Sequence, residues 1–284
     1  MECRKLGDRT VSAIGLGAMP LSVEDHPPRE QAVRTIHAAL DGGISLIDTA
    51  DAYCTGADEV GHNERLVAAA VRGWSGDRDT VVIATKGGHT RQGDGSWGLN
   101  GSPAYLRRAC DASLRALGTD VIDLYQFHRP DPGVPLVESV GALADLRHEG
   151  KVRMVGVSNF DVDGIKDAQS VVPIVSVQNE YSPAFRSSRA EIDYCDAHGI
   201  AFLAWSPLGG MSAAHNLASR HPAFAAVADE CGASPQQVAL AWELSQAPNV
   251  IPIPGASRPD SILDSIRAAD LHLTDAQRSR LDHS

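Results

Sequence analysis

Short apolar runs followed by segments of helical periodicity alternate eight times along this chain, and few folds can absorb that pattern. Residues 13–17, 46–48, 81–85, 122–127, 154–157, 174–177, 201–205 and 250–251 are short, apolar and bounded by turn residues, so they read as buried strands. Helices fall between them. One runs through Val33, Ile36 and Leu40 to a Gly42-Gly43 stop, and a second covers 63–71. The next has Ser102 as N-cap and Pro103 at its first position, carries Leu106, Cys110, Ser113 and Leu117 on one face, and stops at Gly118. Further helices span 135–148, the region of Ile165 and Ala168, and 188–198. Strand-helix alternation of this kind makes parallel strands, and eight units in 284 residues fit a (β/α)8 TIM barrel, a fold of about 250 residues.

The ends of the chain add to the barrel. Lys5 to Val11, with a Gly7-Asp8 turn, predicts an N-terminal β-hairpin that covers one end of the core. Ser234-Pro235-Gln236-Gln237 combines an N-cap, a first-position proline and a capping-box glutamine; Thr274 to Gln277 caps an extra C-terminal helix. The competing architecture is an open doubly wound sheet, which would carry a glycine-rich phosphate fingerprint at its first turn. Here that turn reads Gly15-Leu16-Gly17-Ala18-Met19-Pro20, with proline in the third glycine's place. These glycines are therefore read as allowing tight packing at a strand end. With no linker or low-complexity segment, residues 1–284 are expected to form a single domain.

Composition excludes some partners. Twenty-five Lys and Arg against 36 Asp and Glu give a formal charge of -11, which repels nucleic acid and anionic membrane. No uncharged apolar stretch approaches the ~18 residues of a membrane span, and no apolar leader follows Met1. The five cysteines contain no C-x-x-C pair, their odd number argues against a complete disulfide set, and no metal site is assigned. A cytoplasmic protein, monomer or small homo-oligomer, is expected.

Three of the runs deliver chemistry at their ends. Leu46-Ile47 runs into Asp48 and then Tyr53, the third strand delivers Lys86, and the fourth delivers His128. If these strands are parallel neighbours, the four groups meet at one mouth. Read alone, each has a plain structural explanation: a cap, a packed ring, a solvated amine, a satisfied imidazole. Together they form a relay in which a carboxylate holds an ammonium, the ammonium lowers the pKa of a phenol, and a histidine polarises a carbonyl. Protonation of an alkoxide implies hydride transfer, and the hydride must come from a cofactor.

The motifs Asp48-Thr49-Ala50-(x2)-Tyr53, Ala84-Thr85-Lys86, Asp123-Leu124-Tyr125-Gln126-Phe127-His128, Gly156-Val157-Ser158-Asn159-Phe160 and Ala204-Trp205-Ser206-Pro207-Leu208-Gly209-Gly210 resemble those of the aldo-keto reductases, in order and across nearly the whole chain. The resemblance implies reduction of aldehydes or ketones with NADPH. Tyr53 would be general acid, Asp48 and Lys86 its tuners, and His128 the carbonyl orienter. It further implies that Ser158, Asn159 and Gln178 hold the nicotinamide carboxamide, that Trp205 stacks on the ring, and that Ser206, Leu208 and Gly210 line the pyrophosphate. Met19 falls beside cofactor and substrate. The adenine end falls on Gly255, Ser257, Arg258, Ser261 and Asp264.

Two departures stand out. Where some members of that family place a Lys and an Arg for the adenosine 2′-phosphate, this chain has Gly255 and Ser261, leaving Arg258 as either a phosphate partner or a solvated loop charge. NADPH is expected from the resemblance, with NADH open. Cys54 stands where glycine is common and is read as an inert small side chain. The loop 87–101 is polar and glycine-rich and offers His89 and Trp97 to a substrate, so a sugar-like or small polar carbonyl compound, or a natural-product ketone, is expected. Two other readings stay open: a cofactor-binding regulatory subunit, and a barrel enzyme using Lys86 as a Schiff base.

Overall fold

The computed structural model describes residues 2–211 and 213–284. Its strands, in chain order, are β1 (Cys3–Leu6), β2 (Arg9–Ser12), β3 (Leu16–Gly17), β4 (Leu46–Asp48), β5 (Val82–Gly87), β6 (His89–Arg91), β7 (Trp97–Leu99), β8 (Ile122–Phe127), β9 (Val152–Ser158), β10 (Ile174–Glu180), β11 (Ala201–Trp205) and β12 (Val250–Pro252). The helices are α1 (Arg29–Asp41), α2 (His62–Gly73), α3 (Pro103–Leu117), α4 (Leu136–His148), α5 (Val162–Val171), α6 (Arg189–Ala197), α7 (Leu217–Arg220), α8 (Pro222–Cys231), α9 (Pro235–Leu244), α10 (Pro259–Arg267) and α11 (Asp275–Asp282).

Eight strands form one parallel sheet in the order β12-β11-β10-β9-β8-β5-β4-β3. Its two edges meet. Gly15 N donates to Pro252 O at 2.9 Å and Gly17 N to Pro254 O at 3.0 Å, so the sheet curls into the expected (β/α)8 barrel and loses its open edges. The glycines allow this closure: a Cβ on Gly17 would lie 2.7 Å from Ile253 O, and one on Gly15 would lie 2.9 Å from the Ile253 side chain. Close packing, not phosphate binding, accounts for both.

Alternation along the strands divides the core in two. Leu46, Val82, Ala84, Leu124, Met154, Leu203 and Ile251 fill the barrel interior, and Leu6 and Val11 of the β1–β2 hairpin close its lower end. Tyr125, Phe127, Val155, Val157, Val177 and Phe202 face outward onto the helices. The helix signals perform as expected at α3, where Ser102 Oγ accepts from Tyr105 N and Gly118 turns at φ +68°, and at α11, where Thr274 and Gln277 form a complete capping box. At α9 the box is only half formed. Ser234 Oγ accepts from Gln237 N, while the Gln237 side chain reaches across to α10, its Nε2 donating to Asp264 Oδ1 at 2.6 Å.

Two elements were not legible beforehand. The loop 87–101 contains the antiparallel β6–β7 hairpin, with His89 opposite Leu99 and Arg91 opposite Trp97. Its mixed polar sequence hides the strand period. Helix α10, with Pro259 at its start, follows β12 directly.

Candidate active site

Register brings the chemistry together. Lys86 on β5 is opposite Gln126 on β8, Asp48 on β4 is opposite Ala84, and Gln178 on β10 is opposite Ser158. Continuing the inward alternation upward from Leu46, Val82, Leu124 and Ser176, the side chains of Asp48, Lys86, Gln126 and Gln178 form a polar layer on top of the apolar one. Gly156 makes room for it, since a Cβ there would lie 2.2 Å from Ser176 Oγ and 3.1 Å from Gln126 Cγ.

Lys86 is fully buried and satisfies all three ammonium protons. Nζ donates to Asp48 Oδ2 at 2.6 Å, Thr49 O at 2.9 Å and the Tyr53 hydroxyl at 2.9 Å. Asp48 Oδ1 is held in turn by Gln178 Nε2 at 2.7 Å and Gln126 Nε2 at 3.3 Å. Burial works against the lysine's charge, but Asp48 and Tyr53 outweigh it and keep the amine protonated. An ammonium so held is a poor nucleophile, which speaks against the Schiff-base reading.

The phenol differs from expectation. Burial pushes Tyr53 above its ordinary value, Lys86 pulls it down without prevailing, and Asp48 adds to the rise. The reason is that the ammonium's field is largely neutralised by a carboxylate 2.6 Å away, while the whole phenolate would lose its water. Tyr53 therefore keeps its proton. It accepts from Lys86, so its own O–H is left to donate.

His128 sits edge-on to Tyr53, with ring centroids 5.7 Å apart. Burial first, then the charges of Lys86, His89 and Arg129, hold it well below the usual imidazole range, so the ring is neutral; its Nδ1 is buried without a partner. His89 packs edge-on to His128 at 4.8 Å and stacks on Trp97 at 4.8 Å, and burial lowers it to about 4. Arg91 lies over the Trp97 ring and pairs with Glu24, so the hairpin is tied to the segment between β3 and α1. Cys54 is buried, with its thiol toward Gly56 O at 3.2 Å, and burial pushes it up to about 11, in keeping with an inert side chain.

The remaining predicted residues fall at or after the C-terminal ends of β3, β9, β10, β11 and β12. Ser158 ends β9, and Asn159 follows at φ +63°, donating through Nδ2 to Ser158 Oγ and His128 O. Trp205 ends β11 with its indole N–H buried and unpartnered, and Ser206 follows at φ +50°. Gly209 and Gly210 continue in the left-handed region, at φ +81° and +94°. Non-glycine residues held there are strained, and such strain gathers at ligand sites. Met19 is half-buried in the turn after β3. Leu208 packs partly onto the helical core. Gly255 bridges to Gly17, and the Ser257 carbonyl accepts from Gln31. Arg258 is exposed at the N-cap of α10, and Ser261 lies in its first turn. Asp264 is already engaged: its two oxygens take the Ser234 hydroxyl and the Gln237 amide, both at 2.6 Å, tying α10 to α9.

Sequence reasoning missed the support behind the relay. Asn63 accepts from the Thr49 hydroxyl at 2.6 Å and donates to Ala18 O and Ser22 Oγ, pinning the β4 and β3 loops together. Glu64 accepts from Thr85 Oγ1 at 2.6 Å. Asp51 is buried near Tyr105, and burial followed by the nearby Glu64 raises it well above the carboxylate range. The one available signal was polarity where apolar residues belong: Gln126 inside its strand, and Asn63-Glu64 on a helix that otherwise turns Leu66, Val67 and Ala70 inward.

The comparisons with known proteins agree with this architecture. Residues 13–284 match the model of the aldo/keto reductase family. An uncharacterized oxidoreductase of Schizosaccharomyces pombe is 36% identical over 282 residues, covering 98% of this chain and 88% of the relative. The pyridoxine 4-dehydrogenase of Escherichia coli is 34% identical over 288 residues, covering 98% and 96%. A solved Klebsiella pneumoniae aldo-keto reductase in complex with NADPH superposes with a TM-score of 0.82 at 28% identity, covering 100% of this chain and 95% of that one. This barrel is of the oxidoreductase class. The chain belongs to the aldo/keto reductase family.

Proposed function

We propose that this protein reduces the carbonyl group of a small aldehyde or ketone to an alcohol, with NADPH as cofactor and Tyr53 as general acid. The observation that carries the reading is the Asp48–Lys86–Tyr53 chain, at 2.6 Å and 2.9 Å, beside a neutral His128. The donor set suits a nicotinamide: Ser158 and Asn159 adjoin Gln178, with the Asn159 amide N–H bonded to Gln178 O at 3.0 Å, and the Trp205 indole N–H lacks a partner. Because Gln178 Nε2 is committed to Asp48, its carbonyl oxygen is the part left for an amide. The backbone of Ser206, Leu208 and Gly210 would take the pyrophosphate, and Arg258 the 2′-phosphate. When bound, the cofactor supplies the hydride.

The chain's own residues manage the proton. The neutral imidazole of His128 donates a hydrogen bond to the carbonyl oxygen and orients it. Tyr53 transfers its O–H proton to that oxygen, and Lys86 stabilises the phenolate left behind. Asp48 keeps the lysine charged and aimed. Gln126 and Gln178 keep Asp48 aimed.

Tyr53→Phe tests the assignment. We expect aldehyde turnover with NADPH to fall by about 10²–10⁴ while cofactor binding, followed by fluorescence quenching, persists. Wild-type cofactor binding without turnover of any aldehyde would instead support a regulatory subunit. Pyridoxal is the first aldehyde to try, given the pyridoxine 4-dehydrogenase relative.

A further inference from the structure

Arginines that the fold partly covers are anchored almost everywhere in this molecule. Arg4 holds the Leu244 and Ala247 carbonyls, Arg9 the Asp79 carbonyl, Arg91 the Glu24 carboxylate, Arg107 the Asp145 and Glu149 carboxylates, Arg186 the C-terminal carbonyls, and Arg278 the Asp275 carboxylate. Arg129 is also half-buried. Among the described residues it makes no hydrogen bond and no ion pair.

Its position is informative. It directly follows His128 at the C-terminal end of β8, on the face where the candidate chemistry lies. Its charge reaches three groups around the mouth: His128, His89 on the β6–β7 hairpin, and Glu180 at the end of β10. Glu180 does not neutralise it, because the two form no ion pair and burial raises the Glu180 carboxyl despite the arginine. Lys86 is already matched by Asp48. The rim near His128 therefore carries one unmatched guanidinium in a protein whose formal charge is -11. A guanidinium presents five donors in a fork that fits an oxyanion.

We propose that Arg129 is a specificity residue that binds an anionic group, carboxylate or phosphate, on the carbonyl substrate. The proposal rests on the carbonyl-reductase reading and names the substrate class for that site. The anion docks on the guanidinium while the carbonyl reaches His128 and Tyr53. His89 and Trp97 cover the apolar span between.

Matched substrate pairs test this in the full-length protein with NADPH: 4-carboxybenzaldehyde against methyl 4-formylbenzoate, and pyridoxal 5′-phosphate against pyridoxal. We expect the wild type to favour at least one charged member in kcat/KM by about ten- to a hundredfold. Which pair shows it separates carboxylate from phosphate. Arg129→Gln should remove the preference through KM and leave the neutral members unchanged, and Arg129→Lys should keep part of it. Glu180→Gln, by removing the opposing carboxyl, should widen it. Absence of charge preference in the wild type, or equal loss on charged and neutral members in Arg129→Gln, would overturn the proposal while leaving the reductase reading intact. Should no aldehyde turn over, calorimetric titration with the same pairs decides the anion site by itself: tighter binding of a charged member, lost in Arg129→Gln, supports it, and equal binding refutes it.

Discussion

Replacing Lys86 by methionine keeps most of the side chain's packing and removes one charge, so the change isolates what the ammonium does. Lys86 is fully enclosed and Asp48 nearly so, with side-chain exposures of 0% and 3%. Without the ammonium, Asp48 retains Gln178 and Gln126 as donors but becomes an uncompensated buried charge, and the Thr49 carbonyl and Tyr53 hydroxyl each lose their bond. Breaking a buried pair from one side costs about 3–5 kcal/mol, so Lys86→Met should lose about 4 kcal/mol of stability. Asp48→Asn alone strands the ammonium and should cost a similar amount. The double variant strands neither charge, and its loss should fall short of the sum of the singles by about 2 kcal/mol or more. Urea unfolding followed by circular dichroism supplies each value from the midpoint and slope. Additive losses, or a Lys86→Met loss below about 1 kcal/mol, would refute a tightly coupled buried pair. The same single variant removes the hydrogen bond that the Tyr53 hydroxyl accepts from Lys86, so turnover should fall alongside stability.

Other consequences can be checked separately. Glu243 is fully enclosed, with both carboxylate oxygens unpartnered, and burial raises it well above the usual range. The folded state therefore holds a proton that the unfolded chain releases above about pH 4.3, so this residue costs progressively more stability as pH rises beyond that value. Glu243→Leu should be close to wild type near pH 4 and more stable than wild type at pH 7 in urea unfolding; a gap that does not grow with pH would contradict this. Gly87→Ala would place a Cβ 2.1 Å from the hydroxyl of Tyr125, itself fully buried, and should lower stability by about 1–3 kcal/mol, measured by thermal unfolding. Because His89 is lowered to about 4 and His128 lies well below 6.5, neither ring changes charge between pH 6 and 8, and kcat/KM should show no histidine titration there. Protonation of these rings at lower pH should instead depress kcat/KM.

Linear order was enough to specify the barrel, because strands and helices leave their periods in the apolar residues and their ends in local signals. Ser102, Gly118 and Thr274 act through bonds to residues within four positions, and those bonds are what the structure contains. Asp48, Tyr53, Lys86 and His128 could be singled out since each is polar where a buried strand ends. What the order of residues could not contain is the sign of a competition. Whether Lys86 makes Tyr53 more acidic depends on Asp48 lying 2.6 Å from the same nitrogen and on water being excluded from the phenol, and the two together reverse the expected shift. Arg129 gave no local cue, as its lack of an acceptor is a property of every segment around it. Asp264 received its role from the resemblance, and its bonds to Ser234 and Gln237, about thirty residues upstream, left no trace in the local sequence. Periodicity and caps are local and survive in one dimension; burial, charge matching and unfilled valence are sums over neighbours that only the closed barrel brings together.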